Sequence, residues 1–361
     1  GTYVNCHRVD YTCIENVTVS GHVEGDEYVG GLSGEYSAVY RCVNKATVVG
    51  NVNVGGLVGV SSTLVDGCMN LGEVRGESYV AGVLGNHNAG NVINCMNLGT
   101  VVGTGHNVGG ITGYSRQQGK VLNNINYGEV SGSYNVGGIC GFCSDNSIRD
   151  DVTALRNNVN IGDVQGNQEN KTGAICGYNT DEVKHNFWLY DPAYSKGMAV
   201  GVNNSGGAVA ENVYLTEDQL KGETSAEPYY VSGTDSYFEL VDALTAWAAD
   251  NTDTSQWDDP VVLGGWVYSS ETGYPEVTAE PAQKPQGGIG TDPTFEILTD
   301  RYEVSCYSSE IQVDVKTNMS YSISSIPDWI SEVKVVETDY GFTHLFAIAE
   351  NTDPVVREGV I

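Results

Sequence analysis

Through the first half of the chain, apolar residues come in pairs three apart with two glycines between them: Val54 and Leu57 in NVGGLVG (53–59), Val108 and Ile111 in NVGGITG (107–113), Val136 and Ile139 in NVGGICG (135–141). Weaker copies read YVGGLSG (28–34), YVAGVLG (79–85) and KTGAICG (171–177). Helical spacing at i, i+3, i+4, i+7 is not sustained anywhere before residue 180. Short β-branched runs broken by glycine predict two or three short strands per unit, with glycine supplying the positive φ that corners need.

A second phrase keeps step with the first: YTCIENVTVSG (11–21), YRCVNKATVVG (40–50), DGCMNLGEVRG (66–76), INCMNLGTVVG (93–103), LNNINYGEVSG (122–132) and RNNVNIGDVQG (156–166). Two phrases repeating in register define a repeat architecture. A unit of some 27 residues built of short strands cannot bury both faces alone, so it must stack on its neighbours, each coil pairing with the next at about 4.8 Å. Stacking predicts ladders of equivalent side chains. One is a core column of Val19, Val48, Val74, Val101, Val130 and Val164. Another is an inward column of Asn44, Asn70, Asn97, Asn126 and Asn160 with Glu15 at its head, whose amides would bond one another and the backbone. Cys13, Cys42, Cys68 and Cys95 share a position that Asn124 and Asn158 take over later, while Cys140 and Cys176 share another. A position that accepts Cys or Asn reads as small, buried and reduced, not as a disulfide framework.

Beyond residue 180 the texture changes. Residues 185–215 stay strand-like. TEDQLKG then predicts a short helix with Thr216 as cap, Gln219 completing the capping box and Gly222 as stop. SYFELVDALTAWAAD (236–250) predicts a second helix, capped by Ser236 and Glu239. An open solenoid end exposes strand edges, and residues 181–278 read as the cap that covers it. AEPAQKPQGGIGTDP (279–293) reads as a linker. Residues 294–361 carry short alternating runs, the pattern of a small β-sandwich whose last strand is expected to lie beyond the sequence. The expected fold is therefore mainly all-β: a parallel β-solenoid over 1–180, a helix-containing cap, a linker, and a sandwich.

Charge narrows the partners. The net charge is −29, with 15 acidic against 9 basic residues in 1–180 and 31 against 8 after them. An acidic surface without clustered Lys and Arg argues against nucleic-acid binding. No apolar run reaches the roughly 20 residues of a membrane span. The chain opens on GTYVN with neither a Met nor a signal region, and is expected to be an excised piece whose export signal lies elsewhere. A monomer is expected.

The glycine-rich phrase resembles the GLUG repeat of bacterial surface proteins, including immunoglobulin A peptidases and adhesin-like proteins, in six copies over 28–177. The segment LTEDQL…ALTAWAADN…GWVYSSETGYPEV resembles what commonly follows such arrays. TNMSYSISSIPDWI…FAIAENTDPVVREGVI resembles the BACON domain, an immunoglobulin-like module of Bacteroidetes surface and secreted proteins, with Asn318, Trp329, Asn351 and Arg357 at that family's recurring positions. The resemblance implies an exported, extracellular or cell-surface protein, and a module that binds host or dietary glycans or mucin, or spaces other domains.

Chemistry is sparse. Polysaccharide-degrading β-helices need several carboxylates with Arg, Lys or calcium on one face, whereas the outer column here reads Glu73, Thr100, Glu129, Asp163. Asp145, Asp150 and Asp151, beside Arg149, fall in the loop that lengthens the last repeat. There is no H-E-x-x-H, no G-x-S-x-G and no phosphate loop, and no metal or other cofactor is expected. What stands out is aromatic: Tyr114, Phe142 and Tyr178 each follow the closing glycine of the phrase in successive coils, and alternation from inward Ile111 points Tyr114 outward. Such a column could hold the apolar face of a sugar. The expectation is a non-enzymatic, adhesin-like, glycan-contacting protein. The rivals are a β-helix polysaccharide lyase or hydrolase, and a pure spacer stalk.

Overall fold

The computed structural model describes residues 12–35, 37–116, 119–144, 154–167, 171–180, 182–189, 198–204, 209–223, 240–253, 261–283, 295–297, 309–317, 323, 326–338 and 341–350. The chain is mostly β, and its larger part is a parallel β-solenoid. Each full coil has five short strands, not the two or three expected. One coil runs Val65–Asp66, Met69–Asn70, Val74–Gly76, Ser78–Ala81 and Leu84–His87. These define faces 1 to 5, which stack into parallel sheets of eight, eight, six, six and seven strands. The extra strands arise because each glycine-rich phrase holds two: Val52–Gly55 and Val58–Ser61 flank the Gly-Gly corner of NVGGLVG.

Those corners work differently from expectation. The positive-φ positions of the coils are held mainly by side-chain-bearing residues. One corner column is Asn16, Arg41, Gly67, Asn94, Asn123, Asn157, His185 and Glu211; a second is Tyr28, Asn53, Tyr79, Asn107 and Asn135. Asparagine tolerates the left-handed region because its short amide bonds locally. The motif glycines instead permit close approach. A Cβ on Gly113 would come 2.6 Å from the Gly85 carbonyl oxygen, and one on Gly56 would sit 2.5 Å from the Asn70 Oδ1.

The asparagine column forms as an unbroken buried ladder. Nδ2 of Asn44, Asn70, Asn97 and Asn126 donates to Oδ1 of the next coil's Asn at 2.8, 2.8, 2.7 and 2.8 Å. Each also donates to the carbonyl two residues on in its own coil. Its head is Val19, not Glu15, because the first coil pairs four residues out of the expected register: Glu15 faces Tyr40, Val19 faces Asn44 and Val23 faces Val48. Asn16 takes the left-handed corner beside Arg41, and this fixes the shift. The valine column is thus headed by Val23; it packs against Val29, Val54, Val80, Val108 and Val136 of face 4 as one core cluster. Cys13 leaves the cysteine column for the same reason and is disulfide-bonded, which overturns its expected reduced state. Cys42, Cys68, Cys95, Cys140, Cys143 and Cys176 are free and buried. Burial pushes the thiols of Cys68 and Cys176 well up, and a hydrogen bond with Cys68, followed by burial, does the same for Cys42.

The solenoid does not stop at 180. Glu182–Lys184, Phe187–Leu189, Val200–Asn203, Val209–Ala210 and Val213–Leu215 extend faces 1, 2 and 5. Helix α1 (Glu217–Leu220) follows with its capping box formed as expected, and Gly222 ends it at φ +66°. Helix α2 (Leu240–Asn251) packs on a hairpin of Gly264–Tyr268 and Pro275–Pro281; its expected cap residues Ser236 and Glu239 lie outside the described residues. Ala279, Glu280 and Pro281 belong to that hairpin, so the expected linker begins later than 279.

This helix and hairpin lie along the flank of the solenoid. The corner asparagines explain why. Asn94, Asn123 and Asn157 form a second ladder, Nδ2 to Oδ1 at 2.8 and 2.7 Å, and each reaches out to the module: Asn94 to the Val262 carbonyl, Asn123 to that of Gly264, Asn157 to that of Leu244. Trp266 Nε1 returns a bond to Asn123 Oδ1 at 2.6 Å, and His185 stacks on Trp247 at 5.9 Å.

A second compact unit comprises residues 227–239 and 285–361. Its described part is a four-stranded antiparallel sheet in the order Phe295–Ile297, Ser309–Thr317, Gly341–Ile348, Ile330–Thr338. Ile330, Phe346 and Ile348 form its core, with Trp329 packed against them. Asn318, Asn351 and Arg357 lie outside the described residues.

Candidate functional site

Tyr114, Phe142 and Tyr178 come together. Their strands, Thr112–Arg116, Cys140–Ser144 and Cys176–Asn179, are consecutive in face 5, and the register sets Tyr114 beside Phe142 and Phe142 beside Tyr178. Ring centroids lie 5.2 and 4.9 Å apart, tilted by 41° and 69°. All three rings are half-buried on the outside of the coil, while their neighbours Thr112, Ser115, Cys140 and Cys143 are buried. The simple alternation behind that expectation is broken at the glycine before each ring, since Thr112 and Ser115, three apart, are both buried, as are Cys140 and Cys143.

Three further rings extend the column, and sequence reasoning missed them. Tyr79 lies 5.7 Å from Tyr114; His106 meets Tyr79 edge-on at 5.1 Å; Tyr134 stacks on His106 at 5.3 Å and 13°. The result is one continuous chain of six half-buried rings, Tyr134–His106–Tyr79–Tyr114–Phe142–Tyr178, wrapping the corner between faces 4 and 5. The signal for Tyr79 was its place at the asparagine position of the phrase, but only the left-handed corner, φ +57°, brings its ring to the face 5 column. His106 accepts or donates at Ser78 Oγ, 3.0 Å away, and burial lowers its pKa, which favours the neutral ring.

Two cations border the strip. The Arg116 guanidinium lies 5.7 Å from the Tyr114 centroid and the Lys171 ammonium 5.3 Å from that of Tyr134. Arg116 is held by the Asn88 Oδ1 at 2.8 Å. Elsewhere on the solenoid Arg41, Arg75, Arg156 and Lys184 pair with glutamates. Among the described residues neither Arg116 nor Lys171 does.

Among the described residues the acidic candidates build no comparable site. Asp145, Arg149, Asp150 and Asp151 lie outside the described residues. In the outer column Glu73 is engaged by Arg75 at 2.6 Å and Glu129 accepts from Gln165. Among the described residues no group of three or more His, Cys, Asp and Glu is placed to hold a metal ion, and no helix is long and apolar enough to cross a membrane. The chain matches no family model, no curated protein and no solved structure.

Proposed function

We propose that this chain is a non-catalytic, surface-displayed scaffold that contacts glycans through the ring strip of its solenoid. It would be an adhesin-like protein of the GLUG-repeat type, exported by a Bacteroidetes-like bacterium and followed by a BACON-like immunoglobulin sandwich, to which the four-stranded sheet of the second unit would belong. The observation that carries the reading is the continuous chain of six half-buried rings. A contiguous aromatic patch, unlike singly scattered rings, marks a contact surface, and the weakly polar face of a pyranose packs on such rings with little loss of side-chain freedom. Arg116 and Lys171 at the margins, on a chain of strongly negative charge, favour sugars that carry carboxylate or sulfate groups.

A flat strip offers a face and not a pocket, so one chain binds weakly and multivalent display strengthens the contact. The test is a glycan array probed with multimerised protein, beside the triple variant Tyr114→Ala, Phe142→Ala, Tyr178→Ala, whose fold is checked by circular dichroism. Binding to acidic glycans that the triple variant loses supports the reading. Equal binding by both proteins, or none by either, removes the strip as a contact surface and leaves the spacer reading in its place.

A further inference from the structure

The corner ladder that holds the flank module has one gap. Asn94, Asn123 and Asn157 fill successive corner positions, but the preceding coil carries Gly67 at φ +61°. A Cβ there would meet only the Cγ of Arg41, at 3.3 Å, so the missing side chain leaves space. The hairpin borders that space, and the result is a solvent-open cavity of about 300 Å³ between the solenoid corner and the hairpin, walled by Met69, Met96, Val277 and Pro281.

Its charged groups are Asp66 and Arg41, with Tyr40, Asn94 and Thr278 also in its lining. With no ladder amide at 67, Asn94 Nδ2 donates to Asp66 Oδ1 at 2.7 Å. That single donor uses a small part of what a carboxylate can accept. The Arg41 Nη2 is turned to Glu15 at 2.6 Å, leaving donors of its fork for other partners. Burial raises the Asp66 carboxyl to about 6, the mark of an acid whose charge is incompletely compensated where it stands.

We infer that the cavity at Gly67 binds a single sugar residue, with Asp66 accepting from neighbouring hydroxyls, Arg41 donating to a ring or hydroxyl oxygen, and the methionines and Val277 lying against the apolar C–H face. Other occupants fit the chemistry less well. A small anion meets Asp66 and Glu15; a bare divalent cation finds one carboxylate beside a guanidinium; a purely apolar ligand strands a desolvated acid. The volume stands at the lower end of small-ligand sites, about 300–1,000 Å³, which suits one ring. The cavity shares no residue with the ring strip, and the inference does not rest on the strip's role.

Gly67→Asn supplies the test, because the same left-handed position already holds asparagine in the next three coils. The new amide would continue the ladder and fill the cavity. Asp66→Asn keeps the shape and removes the charge. Titrations of the whole chain, followed by amide chemical shifts, would use methyl glycosides of glucose, galactose, mannose and N-acetylglucosamine, with inorganic phosphate and calcium as controls. Saturable binding of at least one glycoside, with shifts centred on the residues that wall the cavity and weakened by about tenfold or more in each variant as expected for a lost charged hydrogen bond or an occluded site, establishes the site. No saturable glycoside binding, binding of phosphate or calcium alone, or binding that survives Gly67→Asn overturns it. If Gly67→Asn does not fold, Asp66→Asn decides.

Discussion

Asn123 is the residue on which attachment of the flank module depends most. Its amide is fully used: Nδ2 donates to the Gly264 carbonyl at 2.9 Å and to Asn94 Oδ1 at 2.8 Å, while Oδ1 accepts from Asn157 Nδ2 at 2.7 Å and from Trp266 Nε1 at 2.6 Å. Its φ is +61°. Replacement by alanine leaves the Trp266 indole N–H and the Gly264 carbonyl buried without these partners, at about 1–3 kcal/mol for each group that finds no substitute. Alanine in the left-handed region costs about 1–2 kcal/mol more. The other two neighbours are cushioned, since Asn94 Oδ1 still accepts from the Gly264 N–H and Asn157 still donates to Leu244. The expected destabilisation is about 4 kcal/mol. Asn123→Gly removes the same bonds without the backbone strain and should lose about 1 kcal/mol less. Urea unfolding followed by tryptophan fluorescence measures the total, and hydrogen exchange over residues 240–283 shows whether the module opens before the coils. A loss below about 1 kcal/mol in both variants would refute the assignment of this corner as the anchor.

Three further outcomes are expected. His87 and His185 are buried and neutral, with pKa values lowered by burial to about 4 and about 3; the unfolded chain takes up protons first, so stability is complete above about pH 6.5 and falls below it, by about 2 kcal/mol per histidine at pH 5. Asp66, raised to about 6, works the opposite way over the same range and offsets part of the loss. His185→Phe should therefore flatten the acid side of a melting-temperature profile, and an unchanged profile would count against a neutral His185. Alkylation of unreduced, denatured protein should label Cys42, Cys68, Cys95, Cys140, Cys143 and Cys176 but spare Cys13; a protected residue among the six, read by mass spectrometry, contradicts the free-thiol core. Incubation with plant and host polysaccharides, with and without calcium, should release no reducing or unsaturated ends, and release abolished by Asp150→Asn or Asp151→Asn would turn the reading toward an enzyme.

The period of the solenoid was legible because stacking forces the same demand on every coil: a position facing the axis must be small, apolar or self-pairing each time it recurs. That logic located the Asn44 to Asn160 ladder and the face 5 rings. It failed where one coil departs from the average. The first coil shares the Cys and Val of the later phrases, yet Asn16 takes the left-handed corner and slides its strands by four residues, a choice between two similar valine patterns that spacing alone does not make. It failed again over 182–215, where coils continue without the glycine phrase and the inward ladder position of Asn160 passes to the larger, buried Trp188. The flank attachment was hidden for a different reason. Asn94, Asn123 and Asn157 read as turn residues, and the carbonyls they bind lie between 87 and 168 positions away.

Because the module touches Asn94, Asn123, Asn157 and His185, it spans four successive coils along the direction of their stacking. A bare stack under tension would peel from its free edge one coil at a time, each rupture needing only the bonds of a single layer. The crosspiece changes that geometry of failure. Force arriving at the C-terminal side of the stack is shared among four layers in shear, and they yield together or not at all. In a stack under load, the flank module would serve as a mechanical splint, turning a zipper into a beam.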